Sequence, residues 1–130
     1  TCTDYTFSDS NDLASVTQTA CASSDVIYIP TDNTAASYAS TIHNVVVPAG
    51  VPVITGDTGT CSGCGVAVLG IDYYELGQIT GEMAYEILVE GADPATMEVR
   101  SAPTPTKMYN PSICEELGIT PPEDYTALES

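Results

Sequence analysis

Asp25-Val26-Ile27-Tyr28-Ile29-Pro30-Thr31-Asp32-Asn33-Thr34, Val51-Pro52-Val53-Ile54-Thr55-Gly56-Asp57-Thr58-Gly59 and Gly65-Val66-Ala67-Val68-Leu69-Gly70-Ile71-Asp72-Tyr73-Tyr74 share one pattern: a short apolar run that ends at once in a polar turn carrying an aspartate. Runs this short and this rich in Val and Ile read as strands buried on both faces, the habit of parallel sheets in α/β proteins. If the strands are parallel, the three turns lie on one edge. Ligands of open α/β sheets bind at that carboxyl edge, so the pattern puts Asp32, Asp57 and Asp72 around one expected small-molecule site.

Helical patterns fill the intervals. Ser8 to Asp12 supplies capping residues ahead of Leu13, Val16 and Ala20 at helical spacing. Thr34 to about Val47 carries Ala35, Tyr38 or Ala39, Ile42 and Val46 on one face and stops at Pro48-Ala49-Gly50. Tyr74 to about Val89 has Leu76, Ile79, Met83 and Ile87 as its inward stripe and Gly91 beyond its end. Strands alternating with helices imply right-handed parallel βαβ units, hence an α/β three-layer sandwich with a mainly parallel sheet. Tyr5-Thr6-Phe7 alternates like an outer strand, the stretch between Ile54 and Gly65 reads as a loop of small residues, and Pro94, Pro103 and Pro105 mark an irregular crossing stretch. Thr106–Tyr109 reads as a short strand, Pro111–Leu117 as a short helix opened by proline, and Ile119 to Ser130 as a tail. The expected organisation is a ligand-binding lobe over 1–105 and a hinge-crossing segment with its tail over 106–130. Because the chain opens on an acidic, edge-like strand, a preceding β-α unit is also expected.

At 130 residues and 43% apolar, the chain is long enough for one domain with a real core. Eighteen acidic residues against two basic ones, Arg100 and Lys107, leave a formal charge of −16. That surface repels phosphate backbones and anionic lipid, which argues against nucleic-acid binding and membrane-surface adhesion. No apolar stretch approaches the roughly 20 residues of a membrane span. The five cysteines, Cys2, Cys21, Cys61, Cys64 and Cys114, are an odd number for a disulfide framework and leave the redox compartment open.

Each strand-end residue has a structural and a functional reading. Thr31, Asp32, Asn33 and Thr34 form an N-cap cluster, and the free N–H groups of a helix start also suit a ligand carboxylate. An ammonium needs an acidic or carbonyl partner, for which Asp32, Asp57 and Asp72 are the candidates. Gly56, beside Asp57, permits close backbone approach or a tight turn. Tyr73 and Tyr74 are adjacent aromatics that cannot both enter one core, so one is expected to face a ligand or a partner lobe. The expected site is thus Thr31, Asp32, Asn33, Thr34, Gly56, Asp57, Asp72 and Tyr73, with no cofactor and no metal.

Catalysis finds little support. No nucleophile is paired with a histidine by a recognised motif, His43 reads as a surface or packing residue, and no G-x-G-x-x-G opens a helix after a strand. Two alternatives stand beside simple binding: an acidic-edge, Mg²⁺-dependent phosphotransfer domain, which lacks a cation at the strand ends, and a thiol or zinc module on Cys61 and Cys64.

The strings Asp25 to Thr34, Gly50 to Asp57, Gly70 to Gly77 and Thr80-Gly81-Glu82-Met83-Ala84 resemble the substrate-binding proteins of ABC transporters, specifically the type that binds tryptophan or tyrosine. Asp93 to Met97 and Glu116 to Ile119 extend the resemblance over nearly the whole chain, while the scarcity of lysine and the Cys61-Ser62-Gly63-Cys64 segment depart from it. The resemblance implies a type I periplasmic-binding-protein fold of two lobes, with this chain as most of the C-terminal lobe. It implies a non-enzymatic solute receptor for an amino acid, aromatic ones favoured, working with an ABC permease and held outside the cytoplasm as a lipoprotein. A sheet lacking its opening β-α unit would leave an unpaired edge, so a homodimer of the chain is a further expectation.

Overall fold

A computed structural model describes residues 1–129. The elements are α1 (Leu13–Cys21), β1 (Ile27–Ile29), α2 (Asn33–Ser37), α3 (Ala39–Ala49), β2 (Val53–Thr55), α4 (Thr58–Cys64), β3 (Ala67–Gly70), α5 (Tyr73–Leu88), β4 (Thr106–Tyr109), α6 (Pro111–Leu117) and β5 (Thr126–Ala127). The five strands form one sheet in the order β1-β2-β3-β4-β5. β1/β2, β2/β3 and β4/β5 are parallel, with Tyr28 opposite Ile54 and Ile54 opposite Ala67. Asn110 N–H donates to Val66 O at 3.0 Å, joining the residue after β4 to the residue before β3, so those two neighbours run in opposite senses.

The chain divides into two compact units, Thr1–Gly70 with the segment from Lys107 onward, and Ile71–Thr106. The segment from Lys107 onward thus belongs with Thr1–Gly70. The boundary at Gly70–Ile71 has no counterpart in the sequence expectations.

In the first unit one face of the sheet carries the core. Val53, Thr55 and Val68 are fully buried there, and Ile27 and Ile29 pack with Leu13, Ala35, Ala39, Ile42, Val46 and Cys64. These include the face expected of the Thr34 to Val47 pattern. The helix itself is broken at Tyr38, whose φ of −115° and ψ of 22° leave the helical range, so α2 and α3 replace one continuous helix. Gly50, at φ 69°, closes α3 in the left-handed conformation that glycine adopts without penalty. On the other face Tyr28 and Leu69 are 65% and 50% exposed, while Ile54, opposite Tyr28 on one side and Ala67 on the other, is half-buried.

Three expectations are corrected. Tyr5-Thr6-Phe7 forms no strand: the segment makes no ladder hydrogen bonds, Phe7 packs on the core, and the Tyr5 hydroxyl lies 2.6 Å from Ser23 Oγ. The supposed loop of small residues holds helix α4, which glycine and serine content concealed because capping and tertiary packing override weak propensity. The supposed tail contributes β5, extended on past its end by Leu128 N–H to Tyr109 O at 2.8 Å. By contrast, β4 and the proline-opened α6 keep the bounds read from sequence.

α4 depends on two close approaches. A Cβ on Gly63 would sit 2.4 Å from the Ala39 Cβ, so α3 and α4 meet where neither carries bulk. Asn110, buried, donates from Nδ2 to Cys61 O and Ser62 O, both at 3.1 Å, and accepts through Oδ1 from the Ser112 and Ile113 amides at the start of α6. One side chain therefore ties the end of α4 to the start of α6 with its donors and its acceptor all satisfied.

In the second unit α5 has no buried residue. Leu76, Ile79, Met83 and Ile87 form the expected stripe but are only half-buried. Gly81 lies inside this helix with open space around its Cβ position. Asn110→Ala is therefore expected to lower stability by about 2–3 kcal/mol through lost caps and orphaned carbonyls, and Gly63→Ala by about 1–3 kcal/mol through overpacking. Gly81→Ala should raise helix stability by up to about 1 kcal/mol. Urea unfolding of the three variants checks this ordering, and a neutral Gly63→Ala would refute the close α3–α4 contact.

Candidate functional site

The first unit brings the ends of β1 and β2 side by side. Gly56 N–H donates to Ile29 O at 2.9 Å, and the Thr31 hydroxyl donates to Gly56 O at 3.3 Å. Gly56 stands in a tight space: a Cβ there would lie 3.0 Å from Thr31 N, 3.2 Å from Thr31 Oγ1 and 3.3 Å from the Tyr28 hydroxyl. Tyr28, Thr31 and Gly56 thus meet at one point of the carboxyl edge. Asn33 and Thr34 open α2, Asn33 exposed and Thr34 half-buried.

Every expected aspartate caps a helix. Asp32 Oδ1 accepts from Ala35 N–H at 2.7 Å, and Asp57 Oδ1 accepts from Thr60 N–H at 2.7 Å. Asp57 Oδ2 also receives the buried Thr60 hydroxyl at 2.8 Å, while the buried Thr55 hydroxyl donates to Asp57 O at 2.9 Å. Asp32 and Asp57 are half-buried, and each holds a helix start to the end of its strand. The Thr55-Asp57-Thr60 network escaped the sequence reading. Its signal was present as an aspartate three residues ahead of a threonine, a capping spacing.

Asp72 and Tyr73 open the second unit. Asp72 Oδ1 accepts from Tyr74 N–H at 2.8 Å and Glu75 N–H at 3.2 Å, and Tyr73 and Tyr74 are 65% and 77% exposed. Asp72, Tyr74, Glu75, Gln78 and Thr104 to Thr106 border a hollow of about 430 Å³. Here the sole basic side chain, Arg100, is held by Glu86 at 2.7 Å. In the first unit Lys107 is held by Asp124.

The larger hollow of the first unit, about 530 Å³, lies among α3, α4 and α6 and contains none of the expected residues. His43 Nε2 stands 3.6 Å from Glu116, His43 Nδ1 is buried without a hydrogen-bond partner, and Asn110 is fully bonded. The strand-end cluster is the better candidate because it lies at the carboxyl ends of adjacent parallel strands and holds the Tyr28 hydroxyl, which makes no hydrogen bond to another described residue.

Cys61 and Cys64 lie on α4 rather than in a loop, and both are buried free thiols. Burial pushes Cys61 up to about 11 and Cys64 up to about 12. Cys114, also buried, is raised for the same reason. Thiolate chemistry and metal ligation both require deprotonation, so this setting opposes the thiol and zinc alternative. The phosphotransfer alternative is not favoured either: phosphoryl oxygens need a cation, and Lys107, the one lysine, is held by Asp124.

A family model described as ABC transporter substrate binding protein matches residues 1–129. The chain belongs to this family. A tyrosine-binding protein of Clostridioides difficile (strain R20291) is 39% identical over 64 residues, which are 49% of this chain and 19% of that protein. Three solved structures superpose with a TM-score of 0.75. The first is a ligand-free, open substrate binding protein with adhesive properties from Clostridium difficile, 28% identical over 95% of this chain. The second is a conserved domain protein of Vibrio cholerae, 34% identical over 93%. The third is an ABC domain in complex with L-Trp from Streptococcus pneumonia, 31% identical over 92%. The chain spans 42% of the length of each of these structures. The α/β class with a mainly parallel sheet is that of a partial lobe of this family.

Because the folded state binds the Cys61 and Cys64 protons more tightly than the unfolded chain, their contribution to stability is intact below about pH 9 and is lost as pH rises towards 11–12. Denaturation midpoints followed from pH 7 to 11 should fall above pH 9, and Cys61→Ala with Cys64→Ala should flatten that fall. At neutral pH a thiol reagent should label exposed Cys2 rapidly and Cys61, Cys64 and Cys114 only after unfolding.

Proposed function

We propose that this chain is the ligand-binding part of a solute receptor for an ABC importer, and that the solute is an amino acid, with tryptophan or tyrosine favoured. The observation that carries the reading is the meeting of Tyr28, Thr31 and Gly56 at the carboxyl ends of adjacent parallel strands in a chain of this family. Relatives named or solved with tyrosine and tryptophan support the choice of ligand. In this reading Thr31, Asp32, Asn33, Thr34, Gly56, Asp57, Asp72 and Tyr73 face the solute. The capping aspartates keep lone pairs for an ammonium, since a carboxylate offers about four acceptor positions.

Function is clamping rather than catalysis. A solute that contacts two lobes only when they are closed shifts the open–closed equilibrium by that difference in affinity, and a permease then reads the closed form. The segment from Thr106 onward serves as the hinge crossing, and the receptor works outside the cytoplasm on a lipid anchor. Among the described residues no helix is long and apolar enough to cross a membrane.

Calorimetry on the full-length protein should give saturable heats with L-tryptophan or L-tyrosine. The 130-residue chain alone should give none at millimolar solute, because half a site does not offset roughly 4 kcal/mol or more of lost translational and rotational freedom. Heats with sugars or nucleosides only would end the amino-acid reading.

A homodimer of the isolated chain is proposed as well, favoured by β1 at the sheet edge and by exposed Val26, Tyr28 and Leu69. With a charge of −16, association should strengthen with salt. Light scattering at low and high ionic strength decides it, a monomer in both being the contrary result.

A further inference from the structure

Recognition of an amino acid by this chain meets an electrostatic constraint. The ligand carries a carboxylate, yet Arg100 and Lys107 are the only arginine and lysine, and each is ion-paired, to Glu86 and Asp124. Within the first unit the one lysine, Lys107, lies on β4 and not on β1 or β2. On this chain a carboxylate at the ends of β1 and β2 must be received by neutral donors. The Thr31 hydroxyl has already given its proton to Gly56 O. The Tyr28 hydroxyl makes no hydrogen bond to another described residue, stands within contact distance of where a Gly56 Cβ would be, and belongs to a side chain 65% exposed.

We propose that Tyr28 is a specificity-determining residue whose hydroxyl donates a hydrogen bond to the α-carboxylate of the bound amino acid. The inference rests on the amino-acid reading above and adds to it a residue outside the eight expected from sequence. The absence of a side chain at position 56 is what makes room for this contact. The β1 register supplies the direction: Ile27 and Ile29 pack into the core, so Tyr28 between them points to the opposite face. A hydrogen bond to an ionised acceptor is about twice as strong as a neutral one, so its loss is measurable against a background of apolar contact.

The test compares wild-type full-length protein with Tyr28→Phe, which keeps the ring and removes only the donor. Binding of L-tryptophan and L-tyrosine is measured beside their carboxamides, which lack the negative carboxylate. Tyr28→Phe should weaken binding of the free amino acids about tenfold and that of the carboxamides by only about threefold, because their neutral carbonyl oxygen is the weaker acceptor, narrowing the acid-to-amide ratio. Equal loss for acid and amide, or no loss for either, overturns the proposal while leaving the amino-acid reading intact. Wild-type protein that binds none of the four removes both. A second readout does not depend on the variant: with ¹³Cζ-labelled tyrosine, the Tyr28 resonance should move when the amino acid binds and move clearly less with the carboxamide, whose acceptor is neutral. The same movement with both ligands contradicts the proposal.

Discussion

The structure depends on how a parallel strand hands over to the next helix. Asp32, Asp57 and Asp72 each accept backbone N–H groups from the first turn of the following helix, at 2.7–3.2 Å. Each cap contributes on the order of 1 kcal/mol, modest alone, but it also sets where the chain leaves the strand. In the first unit these turns place Thr31 against Gly56 and give adjacent strand ends a shared surface. Structural and binding roles are thus not rivals at these aspartates. A carboxylate has more acceptor positions than one cap fills, so a group that builds the edge can also face a ligand.

Packing in the first unit is governed by small side chains. Ala35, Ala39, Gly63, Cys61 and Cys64 sit where helices approach one another and the sheet, and a methyl on Gly63 would collide with Ala39. The cysteines act here as small apolar residues, with their sulfur atoms directed at the carbonyls of Gly65 and Thr60. Burial that raises their pKa also makes them unsuited to redox or metal chemistry. The same compactness requires an exact polar match where α4 ends, and Asn110 supplies it from 48 or 49 residues away.

Charge shapes recognition as much as packing does. With both cations engaged in ion pairs, the surface offers carboxylates freely and positive charge hardly at all. An ammonium is easily accommodated on such a chain. A carboxylate has to be met by hydroxyl and amide dipoles, which gives polar but neutral side chains near the strand ends more weight than their number implies.

Much of this was legible in the sequence for a local reason: alternation, helical spacing and capping residues act over a few positions. The parallel strands, the buried face Ala35, Ala39, Ile42 and Val46, and the bounds of β4 and α6 all follow from such short-range patterns. Resemblance of four motifs added the family. Tertiary structure alone decided what depends on partners distant in the chain. A helix at Thr58–Cys64 forms despite glycine and serine because Asp57 caps it and Asn110 closes it. Tyr5 to Phe7 fails to become a strand because alternation supplies no hydrogen-bonding neighbour, whereas Thr126–Ala127 becomes one because β4 lies beside it. Tyr28 joins Thr31 and Gly56 only through the register of two strands, which no single segment encodes.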